Sequence, residues 1–431
     1  MSRPKTNASD LTGQVRQRYK KGGCETMSQF DTFPNRYIGF DIHKHYFVAI
    51  GVDQRLNQVF GPHQASISQM NEWAKKYLSP QDAVVVEMTT NTYLVHDMLK
   101  PLVFSITVVH PPHVSLIVRA QVKTDKKAAL TLAQLLASHL LPSIWIPPIQ
   151  VRELRALVAH RNKMVRFSST AKCRLHALLQ CKGIEAPRAV ELFAPELRSW
   201  WDMLILSPLE KHCMYSDLST LDFARSQVEA DEQCLKELAA KDDRIPLLIQ
   251  ITGIGFITAI TILAAIGEIN RFPCADQLVG YAGLGARVHD SGMSRTTGRI
   301  TKSGRRDLRR AMVDAANHAI PHHSHFRAEY ERLSSHIGRQ KAIVAIARKL
   351  LVVVWHVLSH QEADRFADPQ QVATSLFAFA HKVRVQNLSD GQSALQFTRN
   401  QLDRLKIGQQ IQKIPWGTKT FKLPESKLTV N

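Results

Sequence analysis

The chain has 431 residues, 44% hydrophobic and 22% charged, the profile of a folded protein with room for two or three domains rather than of a disordered one. Lys and Arg number 56 against 37 Asp and Glu, and the formal net charge of +19 favours a polyanionic partner, nucleic acid ahead of an acidic membrane surface. No stretch reads as the roughly 20 apolar residues of a membrane-spanning helix, the start lacks the apolar segment of a secretory signal, and six cysteines without a CxxC pair fit packing residues in a reducing cytoplasm.

Residues 1–35 read as a polar, basic, disordered arm. "RYIGFDIHKHYFVAIGVD" then breaks and resumes as a β-hairpin does, and "DAVVVEMT" and "SITVVHPP" predict two further strands separated by the helical "YLVHDMLKPL". Strands alternating with helices over 36–148 imply an α/β sheet. "KTDKKAALTLAQLL" closes this region with a helix whose stripe of Leu132, Leu135 and Leu136 carries back by threes and fours to Ala128 and Asp125. Asp125 therefore points where the core points, which an acid seldom does without a partner.

From Val151 the spacing alternates threes and fours through Leu154, Val158, Arg161, Val165, Ser168, Lys172, Leu175 and Leu179, and again through Leu221, Ala224, Val228, Asp231, Leu235 and Leu238. This is heptad spacing, with Trp200, Trp201 and Pro208 between the runs, so 149–243 predicts a long helical hairpin with an aromatic tip. An intramolecular spacer and a dimerisation arm fit it equally. "LLIQITGIGFITAITILAAIG" opens a mainly helical region over 244–358, and 359–431 forms a C-terminal extension to which the sequence assigns no role.

Two groups of side chains suggest chemistry. Asp41 in the first strand, Glu87 at the end of a strand and Asp125 at a helix start can converge at one sheet edge, and such oxygen ligands hold Mg²⁺, which supports phosphodiester cleavage. Taken alone, three acids over this span also fit ordinary structural roles. The second group is a Gly- and Ser-rich loop and the helix after it, "SGMSRTTGRITKSGRRDLRRA", in which Arg295, Arg299, Lys302, Arg305, Arg306, Arg309 and Arg310 crowd together, with Arg287 just before. Arginine in a first helical turn opposes the macrodipole unless a phosphate sits there. Ser291, Ser294 and Ser303 are candidate nucleophiles, Ser303 reading more as a helix cap. Gly253 and Gly255 in "TGIGFITA" form a tight turn before a helix, similar to elements that offer backbone amides to DNA phosphates. His110 and His113 of "HPPH" read as loop residues.

In their order and combination, "GFDIHK", "VVVEMT", "KTDKKAALTLAQLL", "ELRALVAHRNKMVRFSSTAKCRLHALL", "ITGIGFITA" and "YAGLGARVHDSGMSRTTGRITKSGRRDLRRA" resemble the DEDD transposases of the IS110/IS1111 insertion sequences, the RNA-guided bridge recombinases, over residues 36 to 355. The resemblance implies an α/β RNase H-like (RuvC-like) N-terminal domain, an α-helical coiled-coil insertion and a mainly α C-terminal transposase domain. It implies two Mg²⁺ ions at an acidic site to which Asp41, Glu87 and Asp125 correspond, and a catalytic serine, to which Ser291 corresponds with Ser294 second, meeting that site across protomers. It also implies donor and target DNA, a structured guide RNA, a homo-oligomer from dimer to tetramer, and action in the cytoplasm at a prokaryotic nucleoid. The family pattern reads KTDxxDA, and where its fourth acid is expected this chain has Ala128. Losing one carboxylate weakens the affinity and geometry of a Mg²⁺ site together. Two alternatives stand beside this reading: a RuvC-like junction resolvase using water as nucleophile, and a non-catalytic nucleic-acid-binding protein.

Overall fold

A computed structural model describes residues 34–117, 124–187, 191–291, 294–388 and 391–428, with the backbone alone at 116 and 288–299. The expected basic arm lies outside these residues except for its last two positions, and Asn35 already donates from its amide to the Gln81 carbonyl at 2.8 Å. The chain divides into two compact units that meet in sequence at Ile146 and Pro147.

The first unit is a mixed α/β layer structure. Its elements are β1 (Arg36–Ile42), β2 (Tyr46–Val52), β3 (Gln58–Ser66), α1 (Met70–Tyr77), β4 (Asp82–Glu87), α2 (Thr92–Leu99), β5 (Ser105–Val109), α3 (Pro111–Ile117) and α4 (Asp125–Ala137). The five strands lie in the order β3-β2-β1-β4-β5; β1, β2 and β3 run antiparallel in sequence, while β4 lies parallel to both β1 and β5. The hairpin and both later strands fall where the hydrophobic pattern predicts. Of the two histidines read as loop residues, His110 lies in the connection between β5 and α3, while His113 lies within α3.

Alternation along β1 decides which face each residue serves. Ile38, Phe40 and Ile42 join Val84 and Val86 of β4 in a core beneath Met70, Trp73, Val95 and Leu99 of α1 and α2. The opposite face packs on α4, where Tyr37, Val85 and Ile50 meet Ala133, Leu132 and Ala129. Gly39 makes this second face so close: a Cβ there would sit 2.0 Å from the Ala129 carbonyl and 2.7 Å from the Ala133 amide. A Gly39→Ala chain is therefore expected to lose about 3 kcal/mol of stability through overpacking, read from its urea midpoint; a loss below about 1 kcal/mol would mean that α4 yields instead.

The second unit is mostly helical. Two 33-residue helices, α5 (Ile149–Cys181) and α7 (Pro208–Ala240), pack along one another, with the short α6 (Arg198–Asp202) between them. Their inward residues differ in part from the predicted heptad. On α5 the buried positions are Val158, Met164, Ala171, Leu175 and Leu179, and on α7 Leu238 is exposed while Ala239 is buried. Met164 and Ala171 displace Val165 and Lys172 from the interior because the polar members seek partners at its margin. Arg161 reaches Glu232 at 2.7 Å, and His160 Nδ1 lies 2.8 Å from the buried Asp231 carboxylate. Trp201 is fully buried at the tip with Phe193, Met214 and Leu218, and donates to the Leu192 carbonyl at 3.2 Å.

Next come α8 (Arg244–Ile249), α9 (Phe256–Ile266), α10 (Ala275–Ala282), β6 (Ala286–Ser291), β7 (Ser294–Ile300), α11 (Arg306–His322), α12 (Ser324–Ile337), α13 (Arg339–His360), α14 (Pro369–Lys382), α15 (Ala394–Arg404), β8 (Lys413–Trp416) and β9 (Lys419–Lys422). One hydrophobic core runs from Val158 and Leu235 through Ile260 and Leu351 to Phe377, Leu402, Ile414 and Leu423, so the C-terminal extension is packed into this unit.

Two expectations need correction. The 22-residue α13, with a window of mean hydropathy 1.9, is long and apolar enough to cross a membrane, although no such stretch is expected from the sequence. It is a core helix: Ile346, Leu350, Leu351 and Val354 are buried against neighbouring helices, and Arg339, Lys341, Arg348 and Lys349 lie along the remainder. The cysteines are not packing residues either. Cys173, Cys181, Cys213, Cys234 and Cys274 are free and exposed, and Cys24 lies outside the described residues. Four of them stand on α5 and α7 at positions off the buried stripe, where helical periodicity overrides the usual burial of cysteine.

Candidate active site

The acidic centre is built by three pieces of local structure. Strand alternation turns Asp41 away from the Phe40 core and toward the α4 face, half-buried near the end of β1. The last paired residues of β1 and β4 are Phe40 and Val86, so Asp41 and Glu87 follow them side by side on that same face. Asp125 opens α4 immediately after its cap, Thr124, whose hydroxyl accepts the Lys127 amide at 3.3 Å; an acid in a first turn also suits the helix dipole.

Asp41 and Asp125 converge with His43, and one ligand atom from each of the three lies within 4.8 Å of the others. His43 Nε2 is 3.6 Å from Asp41 Oδ2 and 3.4 Å from Asp125 Oδ2. Those are ion-pair distances without hydrogen-bond geometry, and Nε2 is buried with no hydrogen-bond partner. Tyr46 donates its hydroxyl to Asp125 Oδ2 at 2.9 Å and stacks its ring on His43 at 4.5 Å. Burial pushes the Asp41 carboxyl above its ordinary value; His43 opposes that shift and the neighbouring Asp125 charge adds to it. The hydrogen bond to Asp125 likewise raises the Tyr46 hydroxyl. Two carboxylates held this near one another make a site that gains from a cation, and the orphaned imidazole nitrogen facing both completes a donor set that fits one.

Glu87 stands beside Asp41 on the adjacent strand but outside that cluster, and its backbone carbonyl accepts Thr92 Oγ1 at 3.0 Å. Ala128 lies half-buried one turn after Asp125, its amide bonded to the Thr124 carbonyl at 2.9 Å. The sequence reading missed His43 and Tyr46. His43 follows the end of β1 two residues after Asp41, and that closeness in sequence was the available signal for it; Tyr46 carried none.

The serine region is a β-hairpin rather than the expected loop. Antiparallel β6 and β7 pair Ala286 with Ile300 at one end and Ser291 with Ser294 at the other, which places both candidate serines next to the turn. Gly292 and Met293, and the side chains of Ser291, Ser294, Arg295 and Arg299, lie outside what the structure describes. Ser303 is not the helix cap: α11 starts at Arg306 with Arg305 in the cap position, held by its amide to the Tyr281 carbonyl at 2.8 Å.

Several of the expected phosphate-binding groups are engaged within the protein. Arg305 Nε donates to Asp307 at 3.0 Å, Arg309 to the Ala282 carbonyl at 2.8 Å and Arg287 to the Thr301 carbonyl at 3.2 Å. Asp307 also gives the first turn of α11 the acid that the macrodipole favours, so arginine there needs no bound phosphate to explain it. Lys302, Arg306 and Arg310 are exposed, Arg310 lying 3.7 Å from Asp314. Of the two turn glycines, Gly253 (φ +92°) serves packing, since a Cβ would meet the Ala315 carbonyl of α11 at 2.4 Å. Gly255 is exposed at the start of α9 with open space around it, as an amide offered to an external group requires.

The mixed sheet with acids on its α4 face is consistent with the RNase H-like fold that the DEDD transposase match implies. The model described as "Transposase IS116/IS110/IS902 family" matches residues 245–331, and the DEDD transposase model of the IS110 group, described as "Transposase", matches 38–182. The transposase for insertion sequence element IS1111A of Coxiella burnetii is 26% identical over 60% of this chain and 72% of its own length. The pilin gene-inverting protein of Moraxella bovis is 28% identical over 75% of this chain and 95% of its own, and a probable family 20 transposase of Pseudomonas aeruginosa is 24% identical over 76% and 98%. The protein is an enzyme that recombines DNA. It belongs to the IS110 family of insertion-sequence transposases.

Proposed function

We propose that the chain cuts and rejoins donor and target DNA under the direction of a structured guide RNA, with Mg²⁺ at Asp41, Glu87 and Asp125 and Ser291 as the nucleophile. The observation that carries this reading is the convergence of Asp41 from β1 and Asp125 from the start of α4 on one face of an RNase H-like sheet. Bound divalent ions supply charge for the phosphate and the leaving oxygen. In the serine step the Ser291 hydroxyl gives up its proton, Oγ bonds to phosphorus and the departing DNA oxygen takes a proton; attack by a DNA hydroxyl reverses this and frees the serine. Lys302, Arg306 and the arginines of β7 hold the backbone phosphates alongside the Gly255 turn. The long α5–α7 pair forms a coiled-coil arm in an assembly of dimers up to a tetramer, acting at the nucleoid.

Ala128 makes the chain as it stands a weakened member of the class. With Mg²⁺, labelled donor and target DNA and the RNA transcribed from the element's end, the Ala128→Asp chain is expected to form about tenfold or more of the covalent protein–DNA species that the parent forms. The species is read on a denaturing gel, and omitting the RNA should abolish it. Intact nucleic-acid binding with no covalent species in either chain would leave the protein as a non-catalytic binder.

A further inference from the structure

We propose that His43 serves as a metal ligand, and that the centre consequently takes a first-row transition-metal dication such as Mn²⁺ or Co²⁺ ahead of Mg²⁺. The inference rests on the metal-dependent reading of the acidic centre given above. Three observations lead to it. The imidazole Nε2 is buried, makes no hydrogen bond of good geometry, and lies within 3.6 Å of one oxygen from each of two carboxylates, so it is aimed at the space between them.

The ring is also fixed in that pose. The His43 amide donates to the Tyr46 carbonyl at 2.9 Å, Asn91 Nδ2 donates to the His43 carbonyl at 3.2 Å, and the Tyr46 ring lies stacked on the imidazole. Tyr46 at the same time steadies Asp125 through its hydroxyl, as outer partners of ligating carboxylates do. Finally, the helix position one turn beyond Asp125 offers only the Ala128 methyl.

Ligand chemistry turns these facts into a preference. Mg²⁺ is a hard cation that favours oxygen in near-ideal octahedral geometry, so exchanging a carboxylate for an imidazole works against it. Transition-metal dications accept nitrogen alongside oxygen, with affinity rising from Mn²⁺ toward Ni²⁺ and Cu²⁺. A site in which the His43 imidazole joins Asp41 and Asp125, with Glu87 beside them, keeps its metal by changing which metal it prefers.

The test uses the full chain without DNA, with free Mn²⁺ followed by electron paramagnetic resonance and Mg²⁺ measured by competition. Mn²⁺ is expected to bind at least about tenfold more tightly than Mg²⁺, His43→Ala to weaken Mn²⁺ about tenfold with little change for Mg²⁺, and Ala128→Asp to narrow the gap. His43→Asn, which returns an oxygen, should move the preference toward Mg²⁺ and guards against a folding defect in the alanine variant. With Co²⁺ as the probe, His43→Ala should change the visible absorption bands. Unchanged Mn²⁺ affinity in His43→Ala, or equal affinity for the two metals in the parent, overturns the inference. Asp41→Asn separates the levels: if it abolishes Mn²⁺ binding while His43→Ala does nothing, only the role of His43 fails; if it too changes nothing, the metal-dependent reading fails with it.

Discussion

Ser291→Ala is expected to remove the covalent protein–DNA species altogether, a fall of at least about 10³-fold, with DNA binding held within about twofold of the parent. The expectation follows from what the hydroxyl is asked to do: no other atom of that side chain can carry the link to phosphorus. Ser291 and Ser294 are directly paired in the β6–β7 ladder, so Ser294→Ala is the matched control. If Ser294→Ala loses the adduct and Ser291→Ala keeps it, the nucleophile is the neighbour across the hairpin. If strands are still cut without an adduct in Ser291→Ala, water is the nucleophile and the junction-resolvase reading takes over.

The second large effect belongs to Asp41→Asn, which should lower strand cleavage by about 10³-fold or more while leaving salt-sensitive DNA binding intact. Its effect on stability should have the opposite sign. Burial and the nearby Asp125 charge hold the Asp41 carboxyl above its ordinary value, so the ionised group costs the folded state free energy at neutral pH. That cost is present above the raised value and fades as the pH falls through the ordinary carboxylate range. In EDTA at about pH 7.5, well above the ordinary carboxylate range, Asp41→Asn should therefore melt at or above the parent temperature. A lower melting temperature would mean that Asp41 is a structural acid satisfied by its neighbours and would count against a catalytic role.

Much of the first unit was legible because burial imposes a period. β1, β2, β4, β5 and α4 carry apolar alternation or a helical stripe, and each appears where those patterns place it. β3 reads "QVFGPHQAS", in which a proline and polar residues interrupt the alternation; as an edge strand it tolerates both. The β6–β7 hairpin was illegible for a related reason, since "ARVHDS" and "SRTTGRI" present almost no apolar face and their glycines and serines resemble loop chemistry.

The candidate site divides along similar lines. Asp125 announced itself as an acid on an apolar stripe, and Asp41 as an acid inside a strand. The arginines misled, because the sequence shows their charge but not the carbonyls and Asp307 to which Arg305 and Arg309 are committed. Tyr46 could not be found from spacing: its tie to Asp125 spans 79 residues and exists only once α4 lies across the sheet.

The contact at Gly39 has a consequence for how this enzyme can change. Where strand and helix touch main chain to main chain, the gap between the elements bearing Asp41 and Asp125 is gauged by backbone atoms, which substitution cannot lengthen or trim. Side chains around that contact are then free to vary without retuning the separation of the two acids. The outward residues Lys126 and Lys127 of α4 can be exchanged for whatever nucleic acid or partner the enzyme meets, and the reacting centre beneath them keeps its dimensions.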